Sequence, residues 1–362
     1  MQSNTLNFNG QKIFIGIDVH LKSWNVSIFT SNVKMKPFSQ SPDAVALRTH
    51  LDRNFPGGDY FSAYESGFCG FSVHYDLLRC GIKNIVFNAA DITDSHKERA
   101  RKADSVDSAK IARNLRDGNL TPIYVPSQEE LSDRQLLRTR RSLVKNQSQT
   151  KIRIKSFLNF YGIKCPLSLE CNGTHWSQRF INWVKYEFGN MADSQRKSGM
   201  FLLRTLEFQH AEVLSATREL RDLMRSPKYE KNMRLLTSVP GVGLIAAATF
   251  LLEIGDISRF SNSDHLASFI GLVPDTRSSG EKDAKIGITN RSNRYVREAL
   301  IEGAWRAIRK DPALTLAYEE LRKRMEPNKA IIRIARKLAN RIMCVLTSSM
   351  IHPNCFIGSV RY

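Results

Sequence analysis

The sequence predicts an α/β domain over residues 1–125, a helical coiled-coil region over 126–230, and a mostly α-helical segment over 231–362. Three observations carry this division. Strand-like and helix-like runs alternate from residue 12 to about residue 92. From Ser127 to Tyr161 there is neither glycine nor proline, so one long helix is expected. Beyond it, Pro240-Gly241-Val242-Gly243 opens an apolar, alanine-rich run and reads as the turn between two helices.

Within the first domain, KIFIGIDVH is short and nearly continuously apolar, the mark of a strand buried on both faces. SWNVSIFT follows after a tight connection, as an antiparallel neighbour does. SPDAVALRTHLDRNF begins with Ser41-Pro42 and reads as a helix. YFSAYES is a further strand, FSVHYDLLRCG a helix ended by Gly81, and KNIVFNAAD another strand. Strands and helices in alternation imply a central sheet.

In the second region, RKSGMFLLRTLEFQHAEVLSATRELRDLMRS can fold back on the long helix as an antiparallel pair. The last segment continues after the PGVG turn with a glycine- and serine-bearing loop, DTRSSGEKDAKIGITNRSN. Helices then finish the chain. A glycine-rich turn at a helix start offers backbone N–H groups to a phosphate, so Gly241 and Gly243 are read as a helix-hairpin-helix-like element. A tight turn between two packed helices is the alternative.

Charge narrows the partners. The 362 residues carry 54 Lys and Arg against 35 Asp and Glu, a net charge of +19, and polyanionic nucleic acid is the default partner of such a chain. No apolar run is long enough to span a bilayer, and the N-terminus has no apolar signal core. Six scattered cysteines include no CxxC pair, and the grouping of Cys165, Cys171 and His175 fits no zinc spacing. Free thiols without a signal fit a reducing cytoplasm. Eight basic residues and no acidic one lie between Arg134 and Lys155. A solvated helix normally mixes signs, so Arg134, Arg138, Arg141, Lys145, Lys151, Arg153 and Lys155 are read as a face that meets a phosphate backbone.

Four carboxylates stand out against this basic background. Asp18 ends the first strand among Ile13, Ile15 and Ile17, where a carboxylate is costly unless paired or bound to a cation. Glu65 holds the same relative place on a later strand. Asp104 and Asp107 sit three residues apart and so share a helix face. Taken alone they read as a helix start, with both acids stabilised by the helix dipole. With Asp18 and Glu65 they make four acids on three elements. Such a set suits two divalent cations, Mg2+ or Mn2+, held by hard oxygen ligands.

The order strand-Asp, strand-Glu, helical D-x-x-D resembles the RuvC branch of the RNase H-like nucleases. More specifically, the chain resembles the DEDD transposases of the insertion sequence 110 family, in its 1111 subgroup. GIDVHLKSWNV, YESGFCGF, KADSVDSAKIAR, PGVG, FIGLVP, SSG and ITNRSNRYVREAL occur in the family's order, from Lys12 to about Ile342. The resemblance implies an RNase H-like first domain whose metal-binding tetrad is Asp18, Glu65, Asp104 and Asp107. It also implies a nucleophilic serine, Ser279, in a C-terminal transposase domain. From the residues alone Ser279 reads as a turn serine, and Ser278 beside it could take the same role.

Arg277 and Lys282 flank the serines and could neutralise a scissile phosphate, and Arg291 and Arg294 add two further cations nearby. The resemblance further implies double-stranded DNA as donor and target, an element-encoded noncoding guide RNA, and a homo-oligomer, dimer or tetramer. It places the protein in the bacterial cytoplasm, at the nucleoid during reaction. Two positions depart from the family's usual pattern: Asn290 where lysine is common, and Ser292 where glycine is common. Competing readings are a protein-only DNA invertase of the Piv type, a metal-dependent RuvC-like nuclease, and a non-catalytic nucleic-acid-binding protein.

Overall fold

Lys12–Val19 forms β1, with Ile13, Ile15 and Ile17 fully buried on one face. Trp24–Phe29 (β2) returns antiparallel beside it, as the tight connection predicts. Phe38–Gln40 (β3) adds antiparallel to β2; its three residues are too few for their alternation to be read from sequence. Asp59–Glu65 (β4) and Lys83–Phe87 (β5) join parallel on the other side, giving the order β3-β2-β1-β4-β5. The structure, a computed structural model, describes residues 7–88, 104–169, 176–279, 282–289 and 292–350. At 104–106, 275–279 and 282–286 it describes the backbone course only.

Helices cover both faces of the sheet. Ala44–Asn54 (α1) and Ser72–Arg79 (α2) bury Leu47, Leu51, Val73 and Leu77 with the isoleucines of β1. The α1 cap is Asp43, whose carboxylate accepts from the Val45 N–H at 2.7 Å, so the helix starts later than Ser41-Pro42 suggests. Asp104–Arg116 (α3) lies on the opposite face, where Ala109 and Ala112 meet Phe14 and Phe29, and Ile111 meets Ala63 and Phe87.

The chain divides into two compact units, Met1–Val125 and Pro126–Tyr362. The second unit begins with Gln128–Phe160 (α4), started by a capping box in which Ser127 and Glu130 satisfy each other's backbone N–H. Gln178–Gly189 (α5) follows, then Asp193–Met224 (α6), which runs antiparallel to α4. Arg140 Nε donates to Thr217 Oγ1 at 2.7 Å, and Gln147 Nε2 stands 3.2 Å from His210 Nδ1. A residue advance on one helix matched by an equal retreat on the other is the antiparallel pairing expected.

Glu230–Thr237 (α7) and Leu244–Ile254 (α8) flank the PGVG turn. Every residue of α8 from Ala247 to Ile254 is buried, which explains a helix apolar all round. Gly241, at φ +91°, rests against the Gly303 carbonyl of the later helix Arg294–Ala307 (α10), where a side chain would collide. Between them come Ser263–Ile270 (α9) and a correction to the expected loop: Pro274–Ser279 (β6) and Lys282–Ile288 (β7) pair as an antiparallel ribbon. Its Gly, Ser and Lys content hides a ribbon, because such residues carry little strand preference in sequence. Pro312–Arg322 (α11) and Pro327–Ser348 (α12) close the unit. Among the described residues no helix is long and apolar enough to cross a membrane.

Candidate active site

Strand register brings two of the four acids together. Ile17 of β1 pairs with Tyr64 of β4, so the next residues, Asp18 and Glu65, lie side by side at the carboxyl ends of parallel strands. Residues so placed share one face, with Cα atoms about 4.8 Å apart. Theirs is the face of Gly16 and Ala63, the one α3 covers. The carboxyl edge of parallel strands is also where open α/β sheets place ligands.

Small and polar residues let α3 approach this face. A Cβ at Gly16 would collide with the Ser108 carbonyl oxygen and the Ala112 backbone, so only glycine admits the helix this closely. The Ser27 and Ser108 hydroxyls, both fully buried, stand 2.9 Å apart and pin the same turn to β2. At the other end of the helix, the Arg116 guanidinium lies 5.4 Å from the Phe29 ring centroid, level with Phe14. The helix therefore runs antiparallel to β1. Arg116 stands near Phe14, Ala112 and Ser108 stand over Gly16, and the turn of Asp104 and Asp107 lies beyond, on the side of Asp18 and Glu65.

Asp18 is partly buried, and its Oδ2 lies 3.1 Å from His20 Nε2. His20 escaped the sequence analysis. Its only signal is its place two residues after Asp18, the period of a strand. Glu65 is exposed and Asp107 partly buried, while Asp104 is described only by its backbone place at the start of α3. Among the described residues no three His, Cys, Asp or Glu are grouped so that they could hold a metal ion. Cys171 and His175, candidates with Cys165, lie outside the described residues.

In the second unit Ser279 ends β6, and its backbone pairs across the ribbon with Lys282. Ser278 pairs with Asp283 and Arg277 with Ala284. The ribbon's base is tied down: the Thr289 N–H donates to the Val273 carbonyl at 3.2 Å, and Arg297 Nη1 to the Thr289 carbonyl at 2.8 Å. Arg294 is exposed at the first position of α10, which Asn293 caps through Val296 N–H, whereas Arg291 and Asn290 lie outside the described residues. Ser292 packs against Gly271, and its buried hydroxyl has no hydrogen-bond partner among the described residues.

Comparisons with known proteins cover both parts. A family profile for DEDD transposases of the IS110 type, described as "Transposase", matches residues 15–163. A second, described as "Transposase IS116/IS110/IS902 family", matches residues 233–319. The y4qE protein of Sinorhizobium fredii, named as a transposase, is 30% identical over 82% of this chain and 72% of its own length. The chain belongs to the IS110 family of transposases. The transposase for insertion sequence element IS1111A of Coxiella burnetii is 28% identical over 69% of this chain and 68% of its own length. A second Sinorhizobium fredii relative, y4rJ, is 25% identical over 90% of this chain and 89% of its own. This protein is thus a DNA transposase of an insertion sequence.

Three cations of the basic helix α4 find partners within the protein itself. On a helix, Arg134, Arg138, Arg141 and Lys145 form one stripe, at i, i+4, i+7 and i+11, opposite α6. The first three turn inward. Arg138 Nε and Nη2 each donate at 2.8 Å to the carboxylate of Glu253, a side chain of α8 with no exposed surface. Arg134 donates to the Leu252 carbonyl at 2.8 Å and stands 4.0 Å from Glu253. Arg138 and Arg141 also lie over the Tyr295 ring, 4.7 and 4.4 Å from its centroid, and Arg141 pairs with Glu298.

Here the cations serve as counter-charges for the molecule's own acids. Burial pushes the Glu253 carboxyl up, but the bonds from Arg138 and Asn293 and the nearby arginine charges outweigh this and hold it below its ordinary value. The clue in the sequence was Glu253 itself: one acid in an otherwise apolar helix has to find a partner. Lys145, Arg153 and Lys155 remain exposed along α4. Lys151 is partly buried, 5.7 Å from the Trp176 ring centroid, and burial lowers its pKa. Gly243 caps α8 in extended conformation with open space where a side chain would project.

Proposed function

We propose that this transposase recombines DNA by transesterification, with Ser279 as nucleophile and the Asp18, Glu65, Asp104, Asp107 tetrad as metal site. The observation that carries the proposal is the placement of Asp18 beside Glu65 at the carboxyl ends of parallel strands, on the face covered by α3, the helix of Asp104 and Asp107. The order β3-β2-β1-β4-β5, with two antiparallel and two parallel pairings, supports the RNase H-like reading of this domain.

The donor chemistry fits a divalent metal. Carboxylate oxygens of Asp18 and Glu65 are hard ligands for Mg2+ or Mn2+, and the α3 acids are of the same kind. Bound there, such ions polarise a phosphate and stabilise the attacking and leaving oxygens. The chain's own residues do the rest. His20 steadies the Asp18 carboxylate through its 3.1 Å contact. Ser279 Oγ gives up its proton and bonds to phosphorus as the phosphorus–oxygen bond to the leaving deoxyribose breaks. The leaving oxygen takes a proton and becomes a free hydroxyl. Arg277 and Lys282, on the same ribbon, neutralise the phosphate. The serine–DNA ester conserves the bond for rejoining, when a hydroxyl of another strand displaces Ser279.

The chain's +19 charge and the exposed cations of α4 support a large nucleic-acid partner, and by family resemblance this includes an element-encoded guide RNA and an oligomeric assembly at the bacterial nucleoid. The test has two parts. DNA covalently trapped on the wild type and lost in Ser279→Ala, but kept in Ser278→Ala, supports the nucleophile, whereas trapping by Ser279→Ala overturns it. Sequencing RNA retained through a high-salt wash yields one discrete flank-derived species if guidance holds. No bound RNA leaves a protein-only recombinase of the invertase type.

A further inference from the structure

We propose that the solvent face of α12 is a second DNA-contact surface, in which Lys329, Arg333 and Lys337 grip the phosphate backbone of duplex DNA. This rests on the family's DNA substrate alone, and is independent of the serine and guide-RNA readings.

The helix Pro327–Ser348 contains Lys329, Arg333, Arg336, Lys337 and Arg341 and no acid at all. Its inner face is core: Ala330, Ile331, Ile334, Leu338, Ile342 and Val345 are buried. Two of the five cations are spent internally, Arg336 on Asp264 at 2.7 Å and Arg341 on Asp311 at 2.5 Å. The other three are exposed and form no ion pair among the described residues. They fall at i, i+4 and i+8, which is one straight row about 12 Å long, with like charges on successive turns. Such a row repels itself and is unfavourable until an anion arrives.

Solvent faces elsewhere in the unit differ. On α11, Glu320 pairs with both Lys323 and Arg324, and on α6, Asp193 pairs with Arg196 and Lys197. A single-sign row amid mixed faces is complementary to a polyanion. Duplex DNA presents about one phosphate charge per 1.7 Å of axis, so about 12 Å of row faces several of them. Because the apolar face of α12 is already buried, the helix has nothing to insert into a lipid surface.

The test uses the full-length protein and a fluorescent 30-base-pair duplex of arbitrary sequence, with affinity measured by anisotropy across a salt series. Replacing Lys329, Arg333 and Lys337 together by Gln is expected to reduce the slope of log K against log salt by about 2.7, and Arg333→Gln alone by about 0.9. A control removing equal charge from the end of α6 and its C-cap, Arg218, Arg221 and Arg225→Gln, where Glu219 and Asp222 intervene, is expected to leave the slope within error. An unchanged slope in both α12 variants overturns the proposal. So does an equal fall in the control, which indicates diffuse charge, or an effect confined to a structured RNA of similar length. Should the triple variant not fold, as judged by circular dichroism, the single variant decides.

Discussion

Removing the Arg138 guanidinium is expected to destabilise the second unit more than neutralising its partner Glu253 does, and the asymmetry follows from burial. The Glu253 side chain has no exposed surface, while that of Arg138 is 39% exposed. In Arg138→Ala the carboxylate loses two 2.8 Å bonds and keeps only Asn293 at 3.1 Å and Arg134 at 4.0 Å. A buried charge stripped of its counter-ion costs about 3–5 kcal/mol, and the remaining Arg134 places this case near the lower end, about 3 kcal/mol.

In Glu253→Gln the amide still accepts a bond from Asn293 or Arg138, and Arg138 reaches water, so the cost is about 1–2 kcal/mol. The double variant should cost less than the sum of the two. Urea unfolding of the intact chain, followed by helical circular dichroism, measures all three. The reasoning fails if Glu253→Gln costs as much as Arg138→Ala, or if both fall under about 1 kcal/mol. Acid adds a check. The folded-state pKa of Glu253 lies below its ordinary 4.5, so its contribution is present above pH 4.5 and fades as pH falls toward the folded value. The stability of the wild type should therefore drop in acid by more than that of Glu253→Gln.

Three further outcomes follow from the packing. Gly16→Ala forces its Cβ into the Ser108 carbonyl and Ala112 backbone and should cost about 1–3 kcal/mol in thermal or urea unfolding, with recombination falling as α3 is displaced. Ser27→Ala removes one hydrogen bond of the buried Ser108 hydroxyl and should cost about 0.5–1.5 kcal/mol, part of it recovered in the double alanine variant. Ser292→Ala removes a buried hydroxyl that has no partner among the described residues and should be neutral or stabilising by up to about 1 kcal/mol; a loss of more than about 1 kcal/mol counts against the packing at Gly271.

Much of this architecture is legible in the linear sequence because local periodicity carries it. The nearly continuous apolar run of β1 and the glycine- and proline-free run of α4 each act within a strand or a helix. Their signal survives without knowledge of the rest of the chain. The acids Asp18, Glu65 and Asp107 are likewise legible as chemical oddities in their surroundings. Tertiary structure decided the pairings. Which face of β1 carries Asp18, and that Glu65 is its neighbour, depends on the register of Ile17 with Tyr64, set between strands 47 residues apart. That α3 can lie over them depends on Gly16 and on the Ser27–Ser108 contact, 81 residues apart in sequence. The arginine stripe of α4 makes the same point. Its charge was plain, but its destination was set by Glu253, 115 residues away from Arg138, because burying a carboxylate in α8 is favourable only where folding delivers a cation to it.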